Sequence, residues 1–281
     1  MNLGAFTIAA MSEFLKGWGS LIIAAIALAQ PWIIGLFKKC FKRKRVEIYE
    51  TGAIEIGLST FGPTVGLFGT LNSIHGDAVV RNMTLKIVRL KDKAEHDFSW
   101  RFFRSPKFLA TGPDPSFQLC STFVVPSASP HHFSILFWDP GIIDEAQPLA
   151  AKLIEQWNEF LKNKGELPTA PSDTNVDSSK SRIQAFEEFA KTPGIVDTFA
   201  ALTEMFYWLP GRYSLRLELA VIHPHNKFIK NWEFRLTEQD SSRLKLNILN
   251  ILREICAVPI QFPYNFAYPK YETALDANET P

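Results

Sequence analysis

The chain has 281 residues, 46% hydrophobic and 13% aromatic, enough to bury a sizeable core. Its net charge of +1 joins a basic stretch, with seven Lys/Arg and one acidic residue in 1–45, to a remainder with 23 basic and 28 acidic residues. That acidic remainder argues against broad binding to a nucleic-acid backbone, and Cys40, Cys120 and Cys256 match neither a metal-site spacing nor a disulfide scaffold.

Residues 17–37, GWGSLIIAAIALAQPWIIGLF, run twenty-one positions without a charge. At 1.5 Å of rise per residue, a helix of that length matches the hydrocarbon core of a bilayer, about 30 Å thick. The pattern predicts a single transmembrane helix. A buried core helix seldom stays uncharged for so long. A signal peptide places its basic residues ahead of the apolar run, and a surface-lying helix needs a polar face that Ser20 and Gln30 alone do not provide. Trp18 and Trp32 suit the membrane interfaces. The run Lys38, Lys39, Lys42, Arg43, Lys44 and Arg45 then places the N-terminus outside and the remainder in the cytoplasm. It also offers anionic lipid headgroups about 1 kcal/mol per basic residue. Ser20/Ala24 and Ala25/Ala29 have the small-residue spacing that permits self-association of the span.

From residue 46 the hydrophobic period changes to two, and residues 46–281 read as one large domain. Ile54, Ile56 and Leu58 alternate with polar or small residues, as do Val65, Leu67 and Leu71, with Gly62-Pro63 as the turn between them. Met83, Leu85 and Ile87 face His96, Phe98, Trp100 and Phe102 across a charged turn at Lys91-Asp92-Lys93. Phe117–Val125 reads as one further strand, and Phe133–Trp138 as a strand covered on both faces. A helical insertion follows over about 142–208, with Leu149, Leu153, Trp157, Phe160 and Leu161 at helical spacing and a polar, mobile loop at 165–181. Strands return with Tyr213, Leu215, Leu217, Leu219 and Val221, then with Phe228, Trp232, Phe234 and Leu236. A last helix is predicted at about 238–257, and the tail from Val258 holds four prolines among aromatics before a polar, frayed end. Strands, helices, then strands predict a mainly-β sandwich with a helical insertion and a C-terminal helix. The alternation and the stretch Gly-x-Tyr-x-Leu-x-Leu (Gly211–Leu217) loosely resemble an immunoglobulin-like sandwich, a likeness that implies architecture and no function.

Candidate chemistry is sparse. His131-His132 and His223-Pro224-His225 are the clustered histidines, and with Asp139 they would offer a hydrolytic metal site if they met in space. No HExxH pair, Gly-x-Ser-x-Gly elbow or phosphate-cradling Gly-Lys-Ser/Thr loop occurs, so no cofactor is expected. Trp100, Arg101, Phe103 and Arg104 interleave rings and guanidinium groups as interface anchors do. A strand with Trp100 and Phe102 in the core and the arginines in solvent explains the same pattern. The expectation is a membrane-tethered binding module with a protein partner; a membrane effector that oligomerises through its span is the alternative, and a metal-dependent hydrolase the second.

Overall fold

The computed structural model describes residues 28–32, 45–60, 62–104, 117–165, 176–222, 226–260 and 263–273. Twelve strands are present among them: β1 (Arg45–Glu50), β2 (Glu55–Ser59), β3 (Gly62–Ile74), β4 (Ala78–Arg89), β5 (Glu95–Arg104), β6 (Phe117–Leu119), β7 (Phe123–Val125), β8 (His131–Trp138), β9 (Gly211–Val221), β10 (Asn226–Leu236), β11 (Phe266–Ala267) and β12 (Tyr271–Thr273). Besides the helical residues 28–32 there are five helices among the described residues: α1 (Pro140–Asn163), α2 (Val176–Phe189), α3 (Pro193–Glu204), α4 (Glu238–Lys245) and α5 (Asn247–Ile255).

The domain is mainly β, built on a curled antiparallel sheet with helices packed against it. The predicted sandwich takes the form of one sheet, ordered β11-β2-β3-β8-β5-β4-β9-β10-β12, with β1 beside β3, β6 beside β5 and β7 beside β4. The two ends of that order, β11 and β12, are three residues apart in the chain. Phe266 pairs with Gly57 on one edge, and Tyr271 pairs with Phe234 on the other. Between them the Ile54 amide donates to the Pro269 carbonyl, and the Tyr271 amide donates to the Gly52 carbonyl. Residues 266–273 therefore fasten both edges, and the curl closes on itself. Closure removes unpaired edges that would otherwise invite association. Gly57 makes this fit possible, because a Cβ there would lie 2.9 Å from the Phe266 ring.

Alternation fills the inside of the curl. Ile56, Val65, Leu67, Leu85, Ile87, Phe137, Leu215 and Leu217 are all buried in one core. The helices extend that core outward: Leu153, Trp157 and Leu161 of α1 and Phe186 and Phe189 of α2 belong to it. Asp139 starts α1 by accepting from the Gly141 amide (2.8 Å), and its other carboxylate oxygen lies 2.6 Å from His96 Nδ1. The chain returns from α3 to the sheet through Tyr207 and Trp208, whose indole donates to the Gly57 carbonyl at 2.8 Å. Arg89 donates to the Tyr207 carbonyl at 2.7 Å. A long helical excursion is thus pinned at both roots.

Several expectations change in detail. Phe117–Val125 is two short strands, because its first half pairs with β5 and its second half with β4. β8 buries Phe133, Ile135 and Phe137 and leaves Ser134, Leu136 and Trp138 half-exposed, so one face only is fully covered. The last helix breaks at Leu246 into α4 and α5. Two short strands, β11 beside β2 and β12 beside β10, lie in the proline-rich segment after the last helix.

Among the described residues no helix is long and apolar enough to cross a membrane. The predicted span at 17–37 lies outside them apart from residues 28–32, which are helical and expose Leu28 and Trp32 at 78% each. Trp18, Lys38, Lys39, Lys42, Arg43 and Lys44 also lie outside the described residues, while Arg45 opens β1.

Candidate functional site

A groove of about 1230 Å³ opens among β1, β3, β5 and β8. Its fixed feature is an ion pair. Glu55, the first residue of β2, is buried, and it sits opposite Gly66 on β3. A Cβ at Gly66 would lie 3.1 Å from that of Glu55, so the glycine makes room for the carboxylate. Arg104, the last residue of β5, reaches it with both terminal nitrogens, at 2.8 and 2.5 Å. Such a two-point fork holds a carboxylate more firmly than a single contact does. Tyr268 donates its hydroxyl to the same carboxylate at 3.2 Å. Burial, then the Glu55 charge, pushes the Tyr268 phenol above its ordinary value, so it remains a donor.

Aromatic rings line the groove around this pair. Phe68 lies beneath Arg104, with the guanidinium carbon 5.9 Å from its ring centre. Phe103 meets Phe123 edge-on at 5.4 Å, and Phe123 stacks on His131 at 4.9 Å. Tyr49 and Tyr268 stand at its rim, both more than half exposed. Large amphipathic rings around a buried fork are the residue types that anchor partners at interfaces.

The four residues singled out on β5 do not act together. A bulge between Trp100 and Phe102 shifts the register, so Trp100 pairs with Phe137 and Phe103 with Ile135, both buried positions. Trp100 and Phe103 therefore share the core face and touch each other at 5.9 Å. Arg101 turns to the other face, 4.9 Å above the Trp138 ring. Phe103 and Arg104 line the groove; Trp100 and Arg101 do not. Glu55, Phe68, Phe123 and Tyr268 were not singled out from the sequence. A glycine paired opposite a strand glutamate was the available signal.

The histidines do not assemble a metal site among the described residues, where no group of three His, Cys, Asp or Glu could hold an ion. His131 and His132 are successive strand residues and aim to opposite faces. His131 stacks on Phe123, whereas His132 Nδ1 lies 2.8 Å from the Thr70 hydroxyl. His223 and His225 lie outside the described residues. Asp139 is engaged by His96 and by the start of α1. Among the described residues the two thiols offer no ready nucleophile either, since burial pushes Cys120 and Cys256 up to about 12.

His131 gives the site a pH signature. Burial, then the neighbouring His132, lowers its pKa from the ordinary 6.5. The unfolded imidazole therefore takes up its proton first as pH falls. Stability from this group is complete above about 6.5 and is lost as pH drops through the lower folded value. His131→Phe keeps a ring against Phe123 and should flatten the fall in melting temperature between pH 7 and 5. An unchanged acid slope in that variant would sink the assignment.

No family model, no characterised protein and no solved structure matches the chain.

Proposed function

We propose that the chain is a membrane-tethered binding module whose groove receives a segment of a protein partner. The groove volume carries this reading. At about 1230 Å³ it exceeds the roughly 300–1,000 Å³ usual for small-molecule pockets. Its rings and its pinned ion pair suit an extended peptide bearing apolar side chains. The tether is the uncharged run 17–37, and the basic run 38–45 supports an N-terminus outside, a cytoplasmic domain and contact with anionic lipid. β1 begins at Arg45, the last basic residue, and Tyr49 and Glu50 of that strand line the groove. The recognition surface thus begins four residues of chain after the basic run ends. The immunoglobulin-like character of Gly211–Leu217 adds architecture to this reading and no ligand.

The test has two arms. With the chain expressed in intact cells, alkaline extraction should leave it in the membrane, and external protease should spare residues 46–281. Release or cleavage would remove the tether. Selection of a displayed random-peptide library on the full chain should enrich apolar, aromatic-bearing peptides. Phe68→Asp, in the groove, should weaken them tenfold or more, about 1.4 kcal/mol. Ile229→Asp, on the exposed face of β10, should leave them unchanged. No enrichment, or equal loss in both variants, would overturn the groove assignment.

A further inference from the structure

A second cavity lies away from the groove, where the helices meet the turn between β2 and β3. It encloses about 110 Å³. Leu58 of the sheet, Ile142 of α1, Leu202 of α3, Met205 beyond it and Ile251 of α5 contribute apolar walls, so four separate parts of the fold frame it. Among the described residues none of its walls is charged. Thr198 is the most buried of its polar lining residues, and its hydroxyl already donates to the Gly194 carbonyl at 2.9 Å. Ser59, Thr60 and Gln147 are the other polar side chains of its lining, and the remaining walls are apolar, so the space suits an apolar occupant better than water.

We infer that this cavity is a binding site for the uncharged end of a straight alkyl chain. Size sets the length. An apolar cavity of about 150 Å³ holds benzene, so about 110 Å³ accommodates roughly four or five carbons. The absence of charge among the described walls selects against an ionised end. The site is independent of the groove reading, because the two share no residue. Walls drawn from α1, α3 and α5 give an occupant contact with three helices at once, so filling the space ties those helices to the sheet.

Methionine supplies the test. Met205 lines the cavity, while Met83 is fully buried in β4 and does not. In the full chain held in lipid nanodiscs with ¹³C-labelled methionine methyls, 1-pentanol should shift the Met205 resonance saturably and leave Met83 in place. Pentane-1,5-diol has the same carbons without an apolar end, and it should produce no saturable shift. Ala146→Leu fills the space from α1 and should weaken 1-pentanol at least tenfold, with Met83 unmoved as proof of an intact sheet. A shift that never saturates would overturn the site. So would one that the diol reproduces in the unaltered chain, an outcome that needs no variant to fold.

Discussion

Arg104→Ala is expected to lower the stability of the domain by about 3–5 kcal/mol, the usual consequence of stranding one member of a buried ion pair. Glu55 keeps only 6% of its side chain exposed, and Arg104 only 20%. Truncation would leave a carboxylate out of water with the Tyr268 hydroxyl as its remaining donor among the described residues. In a domain of this size the loss corresponds to a fall of roughly 6–20 °C in melting temperature. Glu55→Leu with Arg104→Met should recover most of it, because a well-packed apolar pair commonly replaces a buried ion pair at little cost. Urea midpoints of the single and double variants decide the matter. A loss below about 1 kcal/mol in Arg104→Ala would show that the pair behaves like an exposed one. The double variant should fold yet lose the peptides proposed to bind the groove, which separates the structural role of the fork from the recognition role proposed for it.

Asn247→Leu is expected to cost about 3 kcal/mol and to loosen one particular part of the fold. Asn247 is fully buried at the start of α5. Its amide donates to the Leu58 carbonyl at 3.0 Å and to the Asn265 carbonyl at 2.8 Å, and its oxygen accepts from the Asn265 amide at 2.8 Å. One side chain thus satisfies three main-chain groups and joins α5, β2 and the segment entering β11. Leucine fills the volume and leaves those groups without partners, at roughly 1–3 kcal/mol for each buried one. Amide exchange should rise across 263–273 as a unit, while the β4–β9 pairing stays protected. Uniform destabilisation, with no preferential opening of 263–273, would refute the local assignment.

Much of the fold was legible because burial imposes a period. Ile54, Ile56, Leu58, Met83, Leu85 and Ile87 alternate in sequence and are buried in the structure, since one inward face dictates every second residue. The bulge at Trp100/Phe102 was not legible, because Trp100, Phe102 and Phe103 are all aromatic and the letters fit either register. β11 and β12 span two and three residues, too few for any period, and both follow a proline-rich stretch that argues for loop. The break at Leu246 divides an apolar stripe that continues unbroken in sequence. Part of the candidate site escaped for a different reason. Glu55 occupies a place in the alternation that normally faces water, and only its pairing across the sheet with Gly66, joined by an arginine 49 positions later, removes it from solvent.

The fastening of the sheet by residues 266–273 sets an order on the protein's synthesis. Tyr268 and the Glu55 it contacts are 213 residues apart. At about 5–20 residues per second, a ribosome needs roughly 10–40 s to bring the second after the first. During most of that interval the edge at β2 waits for its partner and the sheet stays open, while β10 is made only shortly before β12. Neighbouring nascent chains on one polysome would then present the same open edges side by side. Slow translation across the last hundred codons should favour edge-to-edge pairing between copies, and fast translation should favour closure.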